Sequence, residues 1–509
     1  MILIVFGLCL PLADIFSSQL EVFIFEGFYI YLHVVSVLFL LYVYCYILRQ
    51  RKNPTKNSRA ENRQNSLIDD LPAPKHPHQR FSMSCSSHTG SFYLRLGAIG
   101  FGVGAMIHEG LMLGRTLEYK MVPECIHVLT LVRPVIQLTF TFFQLYFIFL
   151  NSRMCIHKYR TLARFGLMHM VATNICVWLR VVIQETVHDI HRSQGHKGKV
   201  NKFYCLDFNF LFLAGNESVA CIEQEIMGKV VENASPYLYP CTIEYSLIAA
   251  GILYIMWLNI SKSAPTPSTP SDCGHLKKHL RMSVDCAGAN RGLFFGIFTL
   301  VATIISLIIF FVLVDIPHLQ GSAVMVVHVS ELTLYCLALI AVIVASVKIR
   351  QLRFDTNHKD ELDGILILIS QMGVYVYSVF SIVAGRYGDD LITGIFTMAT
   401  NALIMLQATV QTVFILNGLR RSPRSCFHER KKPGREFVTF LLVCNIGMWG
   451  INTFEVLRAD SNPLALNYYG FLPWSIISHV ATPLAIFYRF HSTVCLSAIW
   501  KNAYKMKGN

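Results

Sequence analysis

Charge is what this chain has least of. Only 15% of its 509 residues are Asp, Glu, Lys or Arg, where soluble proteins carry about a quarter. The formal charge of +13 is spread over alternate loops rather than gathered into one patch, so no nucleic-acid partner is expected. The fifteen cysteines form no CxxC pair, which argues against a metal ribbon or a disulfide scaffold. Also missing are the phosphate-cradling GxxxxGK[ST], the zinc-hydrolase HExxH and the GxSxG elbow. No enzyme, bound metal or cofactor is expected from such a chain.

What fills the space is apolar: 53% of residues, with a mean hydropathy of +0.46. Apolar runs of about 20 residues, long enough to cross a bilayer core, recur along the chain. They fall near 2–17, 25–48, 91–113, 125–150, 162–186 and 236–258, then 292–315, 321–349, 364–385, 391–417, 436–455 and 472–498. Hydrocarbon offers the backbone no water, so each run is expected to be a helix. The fold class is therefore an all-α polytopic membrane protein of about twelve transmembrane helices, with the lipid bilayer as its first partner. The first run, "MILIVFGLCLPLADIFSS", lacks the basic start of a signal peptide and reads as a short span.

Lys and Arg set the expected orientation. Loops 49–90, 151–164, 261–291, 348–363 and 418–435, with the tail after 498, hold 31 of the 44, and the opposite side holds nine. The rich side should be cytoplasmic, with both termini inside. The sequons at Asn216 and Asn233 fall in the 187–235 loop on the other side, where glycosylation occurs. Cys205 and Cys221 share that loop and are the one plausible disulfide.

Residues 261–290, with "KSAPTPSTPSD", read as a cytoplasmic linker between an N-terminal six-helix half (1–260) and a C-terminal one (291–509). The halves resemble each other. "QLYFIFLN" (Gln144 to Asn151) matches "QTVFILN" (Gln411 to Asn417), and "NICVW" (Asn174 to Trp178) matches "NIGMW" (Asn445 to Trp449). Two matches in order, in corresponding spans, suggest an internal duplication. An even number of spans per copy makes the two six-helix repeats parallel.

Polar groups inside the runs are the candidate functional residues. Glu244 lies roughly 12 Å into the sixth run, and His479 roughly 10 Å into the twelfth, at 1.5 Å per residue. Both runs point inward, so equal distance from the run ends suggests equal depth. A carboxyl and an imidazole can both exchange protons once buried, which makes the pair a candidate relay. Arg180, roughly 9 Å into the fifth run, offers a competing account: a structural ion pair with Glu244. Asn174, Asn445, Gln144 and Gln411 can line a wet path or only join neighbouring helices. Toward the outer face, His108 with Glu109, and His328 with Glu331 three residues on, are candidates for sensing pH or holding zinc as an inhibitor. Arg489 and His491 are expected to snorkel toward the inner headgroups.

These stretches resemble the otopetrin family. The resemblance rests on "ARFGLMHMVATNICVWLRVVIQET" (163–186), "YPCTIEYSLIAAGILYIMW" (239–257), "GANRGLFFGIFTLV" (288–301) and "HVATPLAIFYRFHSTVCLSAIWKNAY" (479–504). "FFQLYFIFLNSR" (142–153) and "NTFEVLRA" (452–459) agree. It implies a homodimeric twelve-helix, proton-selective channel of the plasma membrane that opens to extracellular acid and is sensitive to zinc. It also implies that protons use an acid in the sixth span and a histidine in the twelfth, here Glu244 and His479, with Asn174 of "ATN" beside them. The alternative class is a proton-coupled solute transporter, since two parallel six-span halves are also a transporter plan.

Overall fold

The computed structural model describes residues 1–16, 22–48, 92–119, 128–151, 160–195, 225–260, 289–314, 316, 318–355, 361–388, 391–455 and 463–505. Nearly every described residue is helical. In chain order the helices are α1 (Ile2–Phe16), α2 (Val22–Tyr42, extended by a π-helical turn over Val43–Leu48), α3 (Phe92–Tyr119), α4 (Val128–Asn151), α5 (Arg160–Gly195) and α6 (Glu225–Leu258). Then come α7 (Asn290–Val314), α8 (Gln320–Ile349), α9 (Glu361–Tyr387), α10 (Leu391–Gly418), the short α11 (Cys426–Lys431), α12 (Arg435–Glu455), the short α13 (Pro463–Tyr469) and α14 (Phe471–Asn502). Ten of them are long and apolar enough to cross a membrane; α1 is apolar but shorter. The chain is an all-α polytopic membrane protein.

The apolar runs read from sequence fall one to one on these helices. The largest differences lie where α5 runs on to Gly195 and α6 starts at Glu225. Polar helical extensions carry no hydropathy signal, so a run-based boundary stops short of them. The two short helices and a two-residue antiparallel pair, β1 (Arg353–Phe354) with β2 (Arg421–Ser422), were not expected. The pair ties the segments that follow α8 and α10. Arg421 reinforces it by donating from Nε to Asn417 Oδ1 (2.7 Å) and from Nη1 to the Leu352 carbonyl (2.8 Å).

Among the first six helices, α6 packs on α3 and α5, α4 on α2 and α3, and α1 on α5. Among the later ones, α14 packs on α9 and α12, α10 on α8 and α9, and α7 on α12. One buried cluster centres on Leu167, Met170, Ile248 and Ile252, the other on Tyr335, Val342, Leu441 and Leu496. The first also takes in Leu362 and Leu366 of α9 and Phe487 and Val494 of α14, so the two bodies share a core. There α14 lies against α3, α5 and α6. Phe490 of α14 stacks edge-on to Phe101 (4.8 Å) and occupies the space a Cβ at Gly97 would need. A small residue at that crossing is what lets the backbones approach.

Candidate functional site

Two amide pairs form the most regular polar feature. On α4 and α5, Gln144 donates from Nε2 to Asn174 Oδ1, and Asn174 returns a bond from Nδ2 to Gln144 Oε1, both at 2.9 Å. Asn174 Nδ2 also donates to the Met170 carbonyl one turn back (2.7 Å). Tyr245 of α6 caps the pair, its hydroxyl 3.2 Å from Gln144 Nε2 while donating to the Thr141 carbonyl at 3.2 Å. On α10 and α12 the same pattern recurs. Gln411 and Asn445 exchange bonds of 2.9 and 3.0 Å, and Asn445 donates to the Leu441 carbonyl at 2.8 Å. Tyr488 of α14 donates to the Ala408 carbonyl at 2.8 Å. All four amides are buried, and each pair satisfies groups that hydrocarbon could not.

Glu244 has none of this support. It is 1% exposed, and neither carboxyl oxygen has a hydrogen-bond partner among the described residues. The ion pair with Arg180 considered from the sequence does not form. Arg180 instead donates from Nη2 to Glu26 Oε1 on α2 at 3.1 Å and stands over the Tyr29 and Phe25 rings at 4.4 and 4.7 Å. The reason is geometric. Which side of a helix faces which neighbour was not legible in the sequence, and α2 supplied a nearer acid. Glu244 is thus left as a buried carboxyl able to exchange a proton without first breaking an ion pair.

Glu26 belongs to a larger buried group that joins α2, α3, α4 and α5. Its second oxygen meets Arg133 Nε at 3.0 Å. Arg133 donates from Nη1 to Gln137 Oε1 (3.0 Å) and lies 3.7 Å from Glu109 Oε2, while Gln137 Nε2 donates to Glu109 Oε1 at 2.6 Å. His108 sits beside it, Nδ1 to Glu109 Oε1 at 3.9 Å. The group contains two arginines and two glutamates, so its formal charges balance. Sequence reading found Arg180, His108 and Glu109 but missed Glu26, Arg133 and Gln137. The signal was there: a single charge inside an apolar run is what singled out Glu244, and α2 and α4 each hold one as well.

The remaining candidates are dispersed. His479 is half-buried on α14, and its Nδ1 bonds the Ser475 carbonyl (2.7 Å) within its own helix. His328 and Glu331 of α8 approach to 4.0 Å, with His328 Nε2 at 3.4 Å from Thr397 Oγ1 of α10. Asn233 is exposed near the start of α6, as a glycan acceptor must be. Asn216, Cys205 and Cys221 lie outside the described residues.

Arg489 and His491 do not snorkel: both are fully buried. Arg489 donates from Nη1 to Gln407 Oε1 at 2.7 Å and lies 5.1 Å from the Tyr335 ring centre. Gln407 in turn donates to Gln411, so this cation is wired into the second amide pair. His491 Nε2 is 3.1 Å from the Asp363 carbonyl. The neighbouring helices offered these heads partners nearer than the headgroups, which a single-helix reading could not show.

Sequence comparison gives this geometry its relatives. The otopetrin family profile matches residues 93–205 and 212–490. The Drosophila melanogaster proton channel OtopLc is 42% identical over 99% of this chain, which spans 35% of that protein's length. The Mus musculus proton channel OTOP2 is 26% identical, over 81% of this chain and 83% of its own. The Homo sapiens proton channel OTOP3 is 24% identical, over 82% and 74%. With most of its helical region inside the family profile, and a relative this similar along nearly its whole length, the chain belongs to the otopetrin family.

Proposed function

We propose that this chain is a proton-selective channel of the plasma membrane, opened by extracellular acid, in which Glu244 carries protons through the membrane interior. The otopetrin relatives that match it over most of their own length are proton channels by name. The observation in this chain that carries the reading is the fully buried Glu244 carboxyl without a hydrogen-bond partner among the described residues. Such groups are expensive in a bilayer and are kept for function. His479 sits nearer the outer end and would pass protons on from outside. Asn174, held by Gln144, stands where a proton must open or bypass the amide pair. His108, Glu109, His328 and Glu331 form the outer acid- and zinc-sensing layer of this proposal. Both termini are cytoplasmic in it, and the assembled channel is a homodimer.

The two halves are read as parallel repeats, 1–260 and 291–509, joined by the linker 261–290. Supporting this, α6 has the same neighbours in the first half that α14 has in the second, and the amide pairs recur with their backbone bonds. The tyrosine contacts favour one register for the proposed repeat. Thr141 and Ala408, which accept from Tyr245 and Tyr488, each lie three residues before the glutamine. Tyr245 therefore corresponds to Tyr488, and Glu244 to Phe487. His479 then lies eight residues further out than the Glu244 position, roughly 12 Å along the helix. Equal distance from the run ends had suggested equal depth; in this register the two act in succession.

The test is whole-cell current while external pH is stepped down. The proposal expects inward current with no added solute, reversing where the proton gradient dictates. Current that requires an organic solute would overturn it in favour of a coupled transporter.

A further inference from the structure

Asp363 lies in the first turn of α9, and His491 and Cys495 sit one turn apart on α14, which puts both on the side of α14 that meets α9. All three are buried, and their ligand atoms lie within 4.8 Å of one another. His491 Nε2 stands 3.8 Å from Asp363 Oδ1 and 3.1 Å from the Asp363 carbonyl. Its Nδ1 has no hydrogen-bond partner among the described residues. Phe487 stacks on the imidazole at 5.4 Å and 20°, which fixes the ring plane.

We propose that Asp363, His491 and Cys495 form a divalent transition-metal site that takes Zn²⁺ and clips α9 to α14. An oxygen, an imidazole nitrogen and a thiolate are a zinc donor set; magnesium and calcium prefer all-oxygen shells. A tetrahedral zinc with bonds of about 2.0–2.3 Å spaces its ligand atoms roughly 3.3–3.8 Å apart. The most widely spaced of the three need to close by roughly 1–1.5 Å to reach that geometry. The three protein ligands leave a fourth position for water or a cytoplasmic thiol. In the proposed topology the site is at the cytoplasmic end, where thiols stay reduced. It is therefore separate from the outer histidines His108 and His328.

A plain core reading accounts for a buried cysteine and for an Asp–His contact separately. It gives no reason for a thiol to share one small volume with both. The experiment is a Co²⁺ titration of the purified full chain in detergent under reducing conditions, read by absorbance. Sulfur coordination should produce a thiolate-to-cobalt charge-transfer band, and Zn²⁺ should displace it. Cys495→Ser should abolish the band, and His491→Gln should weaken affinity by at least the roughly tenfold that even an outer partner is worth. A band unchanged in both variants, or no band in the wild type, overturns the proposal. If either variant elutes as aggregate, the wild type decides by mass spectrometry of alkylated cysteines. Zn²⁺ should slow labelling of Cys495 and leave Cys444, equally buried and bonded to Thr299, unchanged. Equal labelling of Cys495 with and without Zn²⁺ overturns the site.

Discussion

The first and second halves carry the same amide scaffold but put their buried charge in different places. In the first half, Glu26, Arg133, Arg180 and Glu109 form a buried charged layer apart from the Gln144–Asn174 pair. In the register of the proposed repeat, Arg133 corresponds to Thr400, Gln137 to Ile404 and Arg180 to Ile451. The second half thus lacks both arginines of that layer. Of its own buried cations, Arg435 stands over the Trp500 ring at 3.9 Å, and Arg489 is bonded through Gln407 to the amide pair itself. In the proposed repeat, the amide scaffold is common to both halves while the buried charged groups are not. On that reading the two halves need not carry protons equally.

Removing one partner of the charged layer should have the largest effect. Arg180→Leu leaves Glu26 with Arg133 alone in a buried site, at a cost of about 3–5 kcal/mol. The expected outcome is a strongly lowered Tm of the detergent-purified protein. The double variant Glu26→Gln/Arg180→Leu, which keeps the Arg133–Glu109 balance, should recover much of the loss. No recovery would mean that the layer does not act as a neutral unit. Ile451→Leu at the corresponding place in the second half should be near neutral, because no charge depends on it.

Next come the amide pairs. Asn174→Ala and Asn445→Ala each leave a buried glutamine short of a partner, worth about 1–3 kcal/mol. The shared scaffold calls for similar losses of Tm in the two halves. A twofold or greater difference would break the comparison, and would assign the weaker pair to the open path rather than to structure. Smallest are the capping tyrosines. Tyr245→Phe and Tyr488→Phe each remove one hydroxyl bond to a carbonyl, about 0.5–1.5 kcal/mol. Each hydroxyl also has a side-chain partner, Gln144 Nε2 at 3.2 Å for Tyr245 and Thr412 Oγ1 at 3.0 Å for Tyr488, so the two losses should match.

The membrane helices were legible because hydropathy reports each run without regard to its neighbours. The recurring glutamine and asparagine were legible too, in "QLYFIFLN" and "QTVFILN" and in "NICVW" and "NIGMW". What pairs with what was not. Arg180 chose Glu26, a residue far away in sequence, and Arg489 and His491 found interior partners rather than headgroups. Such choices depend on the rotation of each helix about its axis, which small residues such as Gly97 set at crossings and which periodicity alone does not reveal. Glu26 and Arg133 could have been found by the test that found Glu244, applied to every run. His491 with Cys495 could have been noticed as a one-turn pair, but its third member, Asp363, is far off in the chain.

The central claim is that Glu244 passes protons rather than filling space. Its most direct test is the acid-evoked whole-cell current of Glu244→Gln at surface expression matched to the wild type. Glutamine keeps the shape and removes the exchangeable proton. The account predicts that the current falls to the level of cells lacking the channel, with folding unchanged. A current of wild-type size and reversal potential would contradict it.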